Sequence, residues 1–151
     1  IGADVTLAGE GDVSGSTLVL RGGTVAPGNS IGSLSVGDAT NIQSGSTLEI
    51  ELDAGSSDTL IVNGDIDLSN LDLVLSGSNP GSGPFTLIDY SGELTGQFNN
   101  VDFGTTGFTM EQLNLGSGSD SAVTLAIPEP ASLAMLGVGG LALLPRRRRS
   151  G

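Results

Sequence analysis

The chain has 151 residues, no cysteine, no histidine and a formal net charge of −12. Residues 1–127 hold 16 of the 17 acidic residues and only Arg21 as a cation, whereas residues 128–151 hold Glu129 and four arginines. Because nucleic-acid affinity depends on Lys and Arg side chains that neutralise phosphates, this body is not expected to bind nucleic acid. A disulfide framework, a zinc site with Cys or His ligands and a Ser-His-Asp triad are excluded within these residues.

Weak internal repetition begins early in the chain. The stretch "SGSTLVL" from Ser14 returns as "SGSTLEI" from Ser44, and Gly-Asp pairs begin at Gly11, Gly37 and Gly64. Periods of about 20 to 50 residues are typical of solenoids, in which each coil buries its apolar face against a neighbouring coil. The repetition therefore favours a solenoid, although chance recurrence in a Gly- and Ser-rich chain would look similar.

A tight turn is predicted at Pro27, Gly28, Asn29 and Ser30. Proline fixes φ and removes a ladder donor, glycine tolerates positive φ, and an asparagine side chain can bond its own backbone. In a solenoid such turns stack at one corner, whereas in another all-β fold they form an ordinary loop. Three apolar residues after the turn are predicted to point inward from the next strand: Ile31, Leu34 and Val36.

Three later segments, "STLEIEL", "LDLVL" and "SAVTLAI", show the period-2 alternation of half-buried strands. The inward residues of these segments are predicted to be Leu48, Ile50, Leu52, Leu71, Leu73, Leu75, Val123, Leu125 and Ile127. Clusters of Gly, Ser, Asn and Asp separate the segments, and the 25 glycines disfavour long helices. The predicted body is therefore all-β: a solenoid, with a β-sandwich as the alternative.

Catalytic and metal-binding groups are sparse in this body. Glycoside hydrolysis needs two carboxylates about 5 to 10 Å apart, and Glu49 and Glu51 would lie about 7 Å apart on one strand face. However, sugar-cleaving clefts normally offer aromatic platforms, and the four phenylalanines are predicted to be core residues. We predict no catalytic residue and no cofactor.

A calcium site receives only weak support from the sequence. "LGSGSDSAV", from Leu115, is close to one copy of the Gly-Gly-x-Gly-x-Asp nonapeptide that binds calcium in β-rolls. Because calcium needs six to eight oxygens from consecutive copies, Asp120 is a weak candidate and no metal is predicted. Other acids lie nearby without a recognised spacing: Asp53, Asp58, Asp65, Asp67 and Asp72.

Two stretches of the body carry a family resemblance. "GGTVAPGNSIGSLSVGD", residues 22–38, resembles the autotransporter-associated β-strand repeat, and "PFTLIDYSGELTGQFNNV", residues 84–101, resembles the segment that commonly closes such repeats. Together with the strands between them, they cover roughly residues 15–103. The resemblance implies a right-handed parallel β-helix of the passenger type and no catalytic residues.

The C-terminal residues combine three parts in order. Pro128, Glu129 and Pro130 form an exposed, extended triplet, since proline neither extends a ladder nor sits inside a helix. Residues 131–144 carry no charge, but a helix of that length is about 21 Å long against a hydrocarbon core of about 30 Å. This marginal membrane segment includes Ala131, Leu133, Met135, Leu136, Val138, Leu141, Leu143 and Leu144. A basic stop-transfer cluster follows at Arg146, Arg147, Arg148 and Arg149.

This tail is similar to the PEP-CTERM sorting signal. The resemblance implies an exported bacterial protein handled by an exosortase, a membrane-embedded processing enzyme, and an association with exopolysaccharide or biofilm. We expect transient inner-membrane anchoring followed by removal of the tail, which leaves the mature protein at the cell surface or outside the cell. A permanent weak anchor and a chance hydrophobic terminus are the alternatives.

Two units are thus predicted: a β-solenoid body at residues 1–127 and a sorting tail at residues 128–151. Because the chain opens at Ile1 without a leader, we expect the C-terminal part of a longer protein whose export signal lies upstream. The predicted function is that of a non-enzymatic surface or matrix protein with exopolysaccharide as a partner. The alternative is the end of a larger adhesin or carbohydrate-active enzyme whose working domain lies upstream.

Overall fold

The computed structural model describes residues 1–78, 80–116 and 121–126. These residues form sixteen β-strands and one short 3₁₀ helix, Met110–Gln112. Strands one coil apart pair in parallel, which builds a β-solenoid of about four turns. A sandwich of antiparallel sheets would not produce this pairing. The solenoid prediction is therefore confirmed, and the β-sandwich alternative is wrong.

The first sheet contains one strand from each successive coil, all in parallel. Its order is β1 (Thr6–Gly9), β4 (Thr24–Pro27), β7 (Ser46–Asp53), β11 (Leu71–Ser76) and β14 (Asn100–Asp102). The short β8 (Ser56–Ser57) turns back and pairs antiparallel with the end of β7. The step between paired residues lengthens from 18 residues, Thr6 to Thr24, to 28 residues, Asp72 to Asn100. The coils therefore have no fixed sequence period.

The second sheet is parallel for four strands and then changes direction. Its parallel part is β2 (Gly11–Val13), β5 (Ser33–Val36), β9 (Thr59–Val62) and β12 (Phe85–Tyr90). On the far edge, β16 (Ala122–Leu125) pairs antiparallel with β12, and β15 (Leu113–Asn114) pairs antiparallel with β16. These two strands cover the edge that a further parallel strand would need.

The third face is made of shorter pairs. Here β3 (Val19–Arg21) pairs with β6 (Asn41–Gln43), and β10 (Ile66–Asp67) pairs with β13 (Leu94–Thr95), all in parallel. A parallel bridge between Ala39 and Ile66 joins the two pairs. The three faces enclose the core.

The core confirms the period-2 prediction. The inward residues predicted for β7 and β11 are buried, as are Val123 and Leu125 of β16; Ile127 lies outside the described residues. Leu34 and Val36 are buried too, but the prediction for Ile31 was wrong, because it lies in a bend before β5 and is only half-buried. The aromatic prediction is confirmed, since Phe85 and Phe108 are buried and Phe98 and Phe103 pack against the core.

The sequence repeats match the coils only in part. Gly37 and Gly64 lie at equivalent corners, and Gly92 continues the column, with its N–H donating to the Gly64 carbonyl at 2.9 Å. Gly11 instead begins β2 and pairs with Leu34. The two "SGST" stretches are not equivalent either: the first leads into β3 on the third face, whereas the second begins β7 on the first sheet.

The predicted sorting tail cannot be placed on this fold. Its triplet at 128–130, its apolar segment at 131–144 and its basic cluster at 146–149 all lie outside the described residues. Within residues 1–78, 80–116 and 121–126, the structure contains no helix of the length and apolar character needed to cross a membrane.

Candidate functional site

The predicted turn at Pro27–Ser30 lies at the corner between the first and second sheets. Pro27 is the last residue of β4 and pairs with Gly9 of the coil before it. Gly28 has φ of +85° and donates its N–H to the Gly9 carbonyl at 2.8 Å. The turn therefore starts one residue later than predicted, at a position whose positive φ favours glycine.

A carboxylate from the next coil fixes this corner. Asp58 Oδ1 accepts a hydrogen bond from the Gly32 N–H at 2.9 Å, and Asp58 Oδ2 accepts one from the Glu51 N–H at 2.8 Å. Asp58 is 4% exposed and is the one buried acidic residue among the described residues. In the sequence Asp58 is one of several acids without a recognised calcium-ligand spacing, whereas in the structure it is an internal clamp between two coils.

Burial governs the acidity of this clamp. Desolvation raises the pKa of Asp58, the N–H groups of Glu51 and Gly32 lower it, and the negative charges of Glu51 and Glu10 raise it again, with a net upward shift. The two N–H donors favour the charged form, but they do not outweigh the loss of water around the carboxylate. The corner thus contains a carboxylate that takes up a proton more readily than an exposed one.

A polar cleft of about 230 Å³ opens beside the clamp. Among its lining residues are Asn29, Ser30, Glu49, Glu51 and Asp58, and none of the described lining residues is aromatic. Glu49 and Glu51 are both exposed on the outer face of β7, as the alternation predicted. The described part of the lining offers carboxylates to solvent but no platform on which a sugar ring could stack.

Two of the other acids that we considered as calcium ligands instead join neighbouring coils. Asp65 accepts a hydrogen bond from the Glu93 N–H at 2.7 Å, and Asp72 accepts one from Asn99 Nδ2 at 2.7 Å. Among the described residues, no three acidic side chains are grouped so that they could hold a metal ion. The weak candidate Asp120 lies outside them.

Several aspartates close turns through their own side chains. In Asp12–Ser14, Asp38–Thr40 and Asp67–Ser69 the carboxylate accepts a hydrogen bond from the backbone N–H two residues later, at 2.8 to 3.0 Å. The serine hydroxyl and then its N–H lower the pKa of Asp12 and of Asp67. The recurring Asp-x-Ser/Thr pattern is the sequence signal for these Asx turns, which our predictions did not include.

The comparisons with known proteins identify the C-terminal part of the chain. Residues 126–149 match the family model of the PEP-CTERM protein-sorting motif. The match contains the predicted Pro-Glu-Pro triplet, the apolar segment and the arginine cluster, so the resemblance of the tail is confirmed. Neither the curated proteins nor the solved structures include a significant match to the chain. The motif implies a protein that is exported to the cell surface or extracellular space and sorted by an exosortase, a membrane enzyme.

Proposed function

We propose that this chain is a non-enzymatic structural protein of the cell surface or extracellular matrix, delivered there by its sorting tail. The observation that carries the proposal is the junction between body and motif. Strand β16 ends at Leu125, and the sorting motif begins at residue 126. All described strands therefore precede the motif, and removal of the tail would leave the solenoid's strand pairings in place.

The body is suited to a structural role because its core is continuous and its surface is acidic. Apolar side chains of successive coils form one buried cluster. Exposed carboxylates lie outside it, for example Glu49, Glu51, Asp89 and Glu93. Stacked coils form a stiff rod in which each coil is stabilised by its neighbours. We propose that this hydrated acidic rod acts as a spacer or scaffold in a matrix that contains exopolysaccharide or supports a biofilm.

The proposed type of solenoid is a right-handed passenger-type β-helix with autotransporter-associated repeats. Parallel crossover connections are right-handed in nearly all known sheets, which supports this hand. The position of the Pro-Gly-Asn-Ser stretch at a corner between two sheets supports this proposal.

The proposed role of the tail is temporary. Residues 131–144 would hold the protein in the inner membrane only temporarily, because this uncharged segment is shorter than a stable span. Arg146–Arg149 would stay on the cytoplasmic side, since basic residues flank membrane segments on that side. The exosortase would act near Pro128–Pro130 and release the body. A short apolar tail that an enzyme later removes follows the same logic as GPI signals.

Fractionation of the producing cells tests delivery. We expect the wild-type protein in the surface or matrix fraction. A variant with Arg146–Arg149 replaced by glutamate should be depleted from that fraction. Arg21→Glu is the matched control, because it makes the same exchange at a lone cation of the body. Equal distribution of all three proteins would contradict the proposed use of the tail.

Complementation of a deletion strain tests the structural role. Leu73→Asp places a charge in the core and should abolish retention in the matrix, because the coil can no longer pack. The double variant Glu49→Ala with Glu51→Ala should be retained at the wild-type level, since both side chains are exposed. If the double variant folds and is exported but is not retained in the matrix, or does not restore the wild-type phenotype, the carboxylates of Glu49 and Glu51 would have a chemical role instead.

A further inference from the structure

The two ends of the solenoid differ. At the C-terminal end, β15 and β16 cover the edge of β12 with antiparallel pairing, and the Phe108 ring packs edge-on against Phe85 at 5.7 Å. At the N-terminal end, β1 and β2 are the outermost described strands of their sheets, and β2 is exposed along its whole length. Unpaired strand edges are templates for further pairing.

The first coil also leaves its interior open. A cavity of about 300 Å³ lies at this end, lined by Ile1, Leu7, Val13, Leu18, Val19 and Val36 among others. Val13 is 47% exposed and Val5 is 53% exposed. Terminal coils of solenoids normally carry a polar outer face, since an open core binds further apolar groups. This end has the composition of an internal interface.

Residues Ile1 and Gly2 show what fits there. Gly2 forms a parallel bridge with Arg21 of β3, and Arg21 pairs in parallel with Gln43 of β6. Ile1 is thus in register with Leu20 and Ile42, both buried, and packs against the core itself. The Ile1 nitrogen donates to the Val19 carbonyl at 2.6 Å, and the Arg21 N–H donates to the Ile1 carbonyl at 2.8 Å. Ile1 and Gly2 therefore occupy the third-face position of a coil stacked above β3.

We propose that the open N-terminal end is the docking surface for one more parallel coil, which enters the ladder through the nitrogen of Ile1. Its second-sheet strand would pair with β2, and its inward side chains would fill the cavity. A peptide N–H at Ile1 would make the hydrogen bond to Val19 that the terminal nitrogen makes here.

A second copy of the chain fits this surface less well. Head-to-tail stacking needs free parallel edges on the faces at the other end. There β14 leaves the edge of the first sheet open among the described strands, but β15 and β16 cover the edge of the second sheet. Head-to-head pairing would bring together two first coils that both carry exposed Asp4, Glu10 and Asp12. Like charges at close range oppose that pairing.

The test is hydrogen exchange on the full chain with an added coil. Residues 24–41 are copied directly in front of Ile1, because Gly2 shares its ladder position with Gln43. We expect amide exchange in β1 and β2 to slow by about tenfold or more. The matched control carries the same extension with the copied Leu34→Asp and Val36→Asp, and its β1 and β2 should exchange as fast as in the parent chain.

Two results would overturn the proposal. One is unchanged exchange in β1 and β2 when the apolar coil is attached. The other is protection of β2 in the parent chain that rises with protein concentration, which would show that a second copy covers this end. Neither result depends on the fate of the sorting tail.

Discussion

Asp58 and Gly32 are 26 residues apart in the chain, yet Asp58 Oδ1 accepts the Gly32 N–H at 2.9 Å. The other oxygen of the carboxylate binds the N–H of Glu51 in β7. One buried side chain therefore joins the corner of one coil to the strand of the next. This link spans the corner between the two coils.

Removal of the clamp should destabilise the body. Asp58→Ala leaves two backbone N–H groups without their acceptor, and we expect a loss of about 1 to 3 kcal/mol in the free energy of unfolding. Urea denaturation followed by circular dichroism measures it. Glu49→Ala, in the same cleft but exposed, is the control and should change little. Equal effects of the two substitutions would show that Asp58 is not a clamp.

The same residue should give stability a distinctive pH dependence. Because desolvation raises the pKa of Asp58 above its ordinary value of 3.8, the folded state binds the proton more tightly than the unfolded chain. Stability from this group is present at low pH and is lost as the pH rises from 3.8 through the raised pKa.

Asp58→Asn provides the reference for this effect, because it does not titrate. The difference in unfolding free energy between wild type and Asp58→Asn should move against the wild type as the pH rises. Asp67, whose pKa is lowered by Ser69, contributes with the opposite sign in both proteins and cancels in the comparison. A difference that stays constant between about pH 3 and 6 would contradict the raised pKa.

Gly28 and Gly55 allow the cost of a positive φ to be measured separately from the cost of steric crowding around an added Cβ. Gly28 and Gly55 have φ of +85° and +87°, but a Cβ at Gly28 would meet the Ser30 carbonyl and lie 2.6 Å from Asp58 Oδ1, whereas one at Gly55 has open space. We expect Gly55→Ala to destabilise by about 1 kcal/mol from φ alone and Gly28→Ala by at least about 1 kcal/mol more. Thermal denaturation of both variants measures the difference. Equal melting temperatures would contradict the steric crowding inferred at Gly28.

The aromatic contact at the C-terminal end should be the strongest single contribution to the stability of that end. Phe108 is 4% exposed and packs on Phe85, so Phe108→Ala is expected to lower the free energy of unfolding by about 3 to 5 kcal/mol. Phe103→Ala, at a half-buried position, should lose clearly less. Urea denaturation compares the two variants, and a smaller loss at Phe108 than at Phe103 would contradict a main role for the Phe85–Phe108 contact at this end.

Local alternation made much of the fold predictable. The runs around Leu48 and Leu73 specify strands with one buried face, and the turn chemistry at Gly28 specifies a corner. Period-2 patterning is a local property, so it survives without knowledge of the neighbouring strands. The tail was predictable for a similar reason, because its three parts lie within one short segment.

The missing parts of the prediction depend on contacts between distant residues. The coil step grows from 18 to 28 residues, so no fixed period reveals which strands pair. The antiparallel partner of Phe85 is Leu125, and nothing near either residue signals a change of strand direction. The sequence around Asp58 indicates only a polar turn residue, because the Gly32 N–H that it accepts belongs to the coil before it.

Intact mass and C-terminal peptide mapping of the mature protein, purified from the cells that export it, test the central proposal most directly. We expect a mature chain that ends near Pro128–Pro130 and retains β16, with no peptide that contains Met135. In cells without the exosortase, the Met135 peptide should return. Recovery of that peptide from the exported wild-type protein would contradict a sorting tail that is removed on delivery.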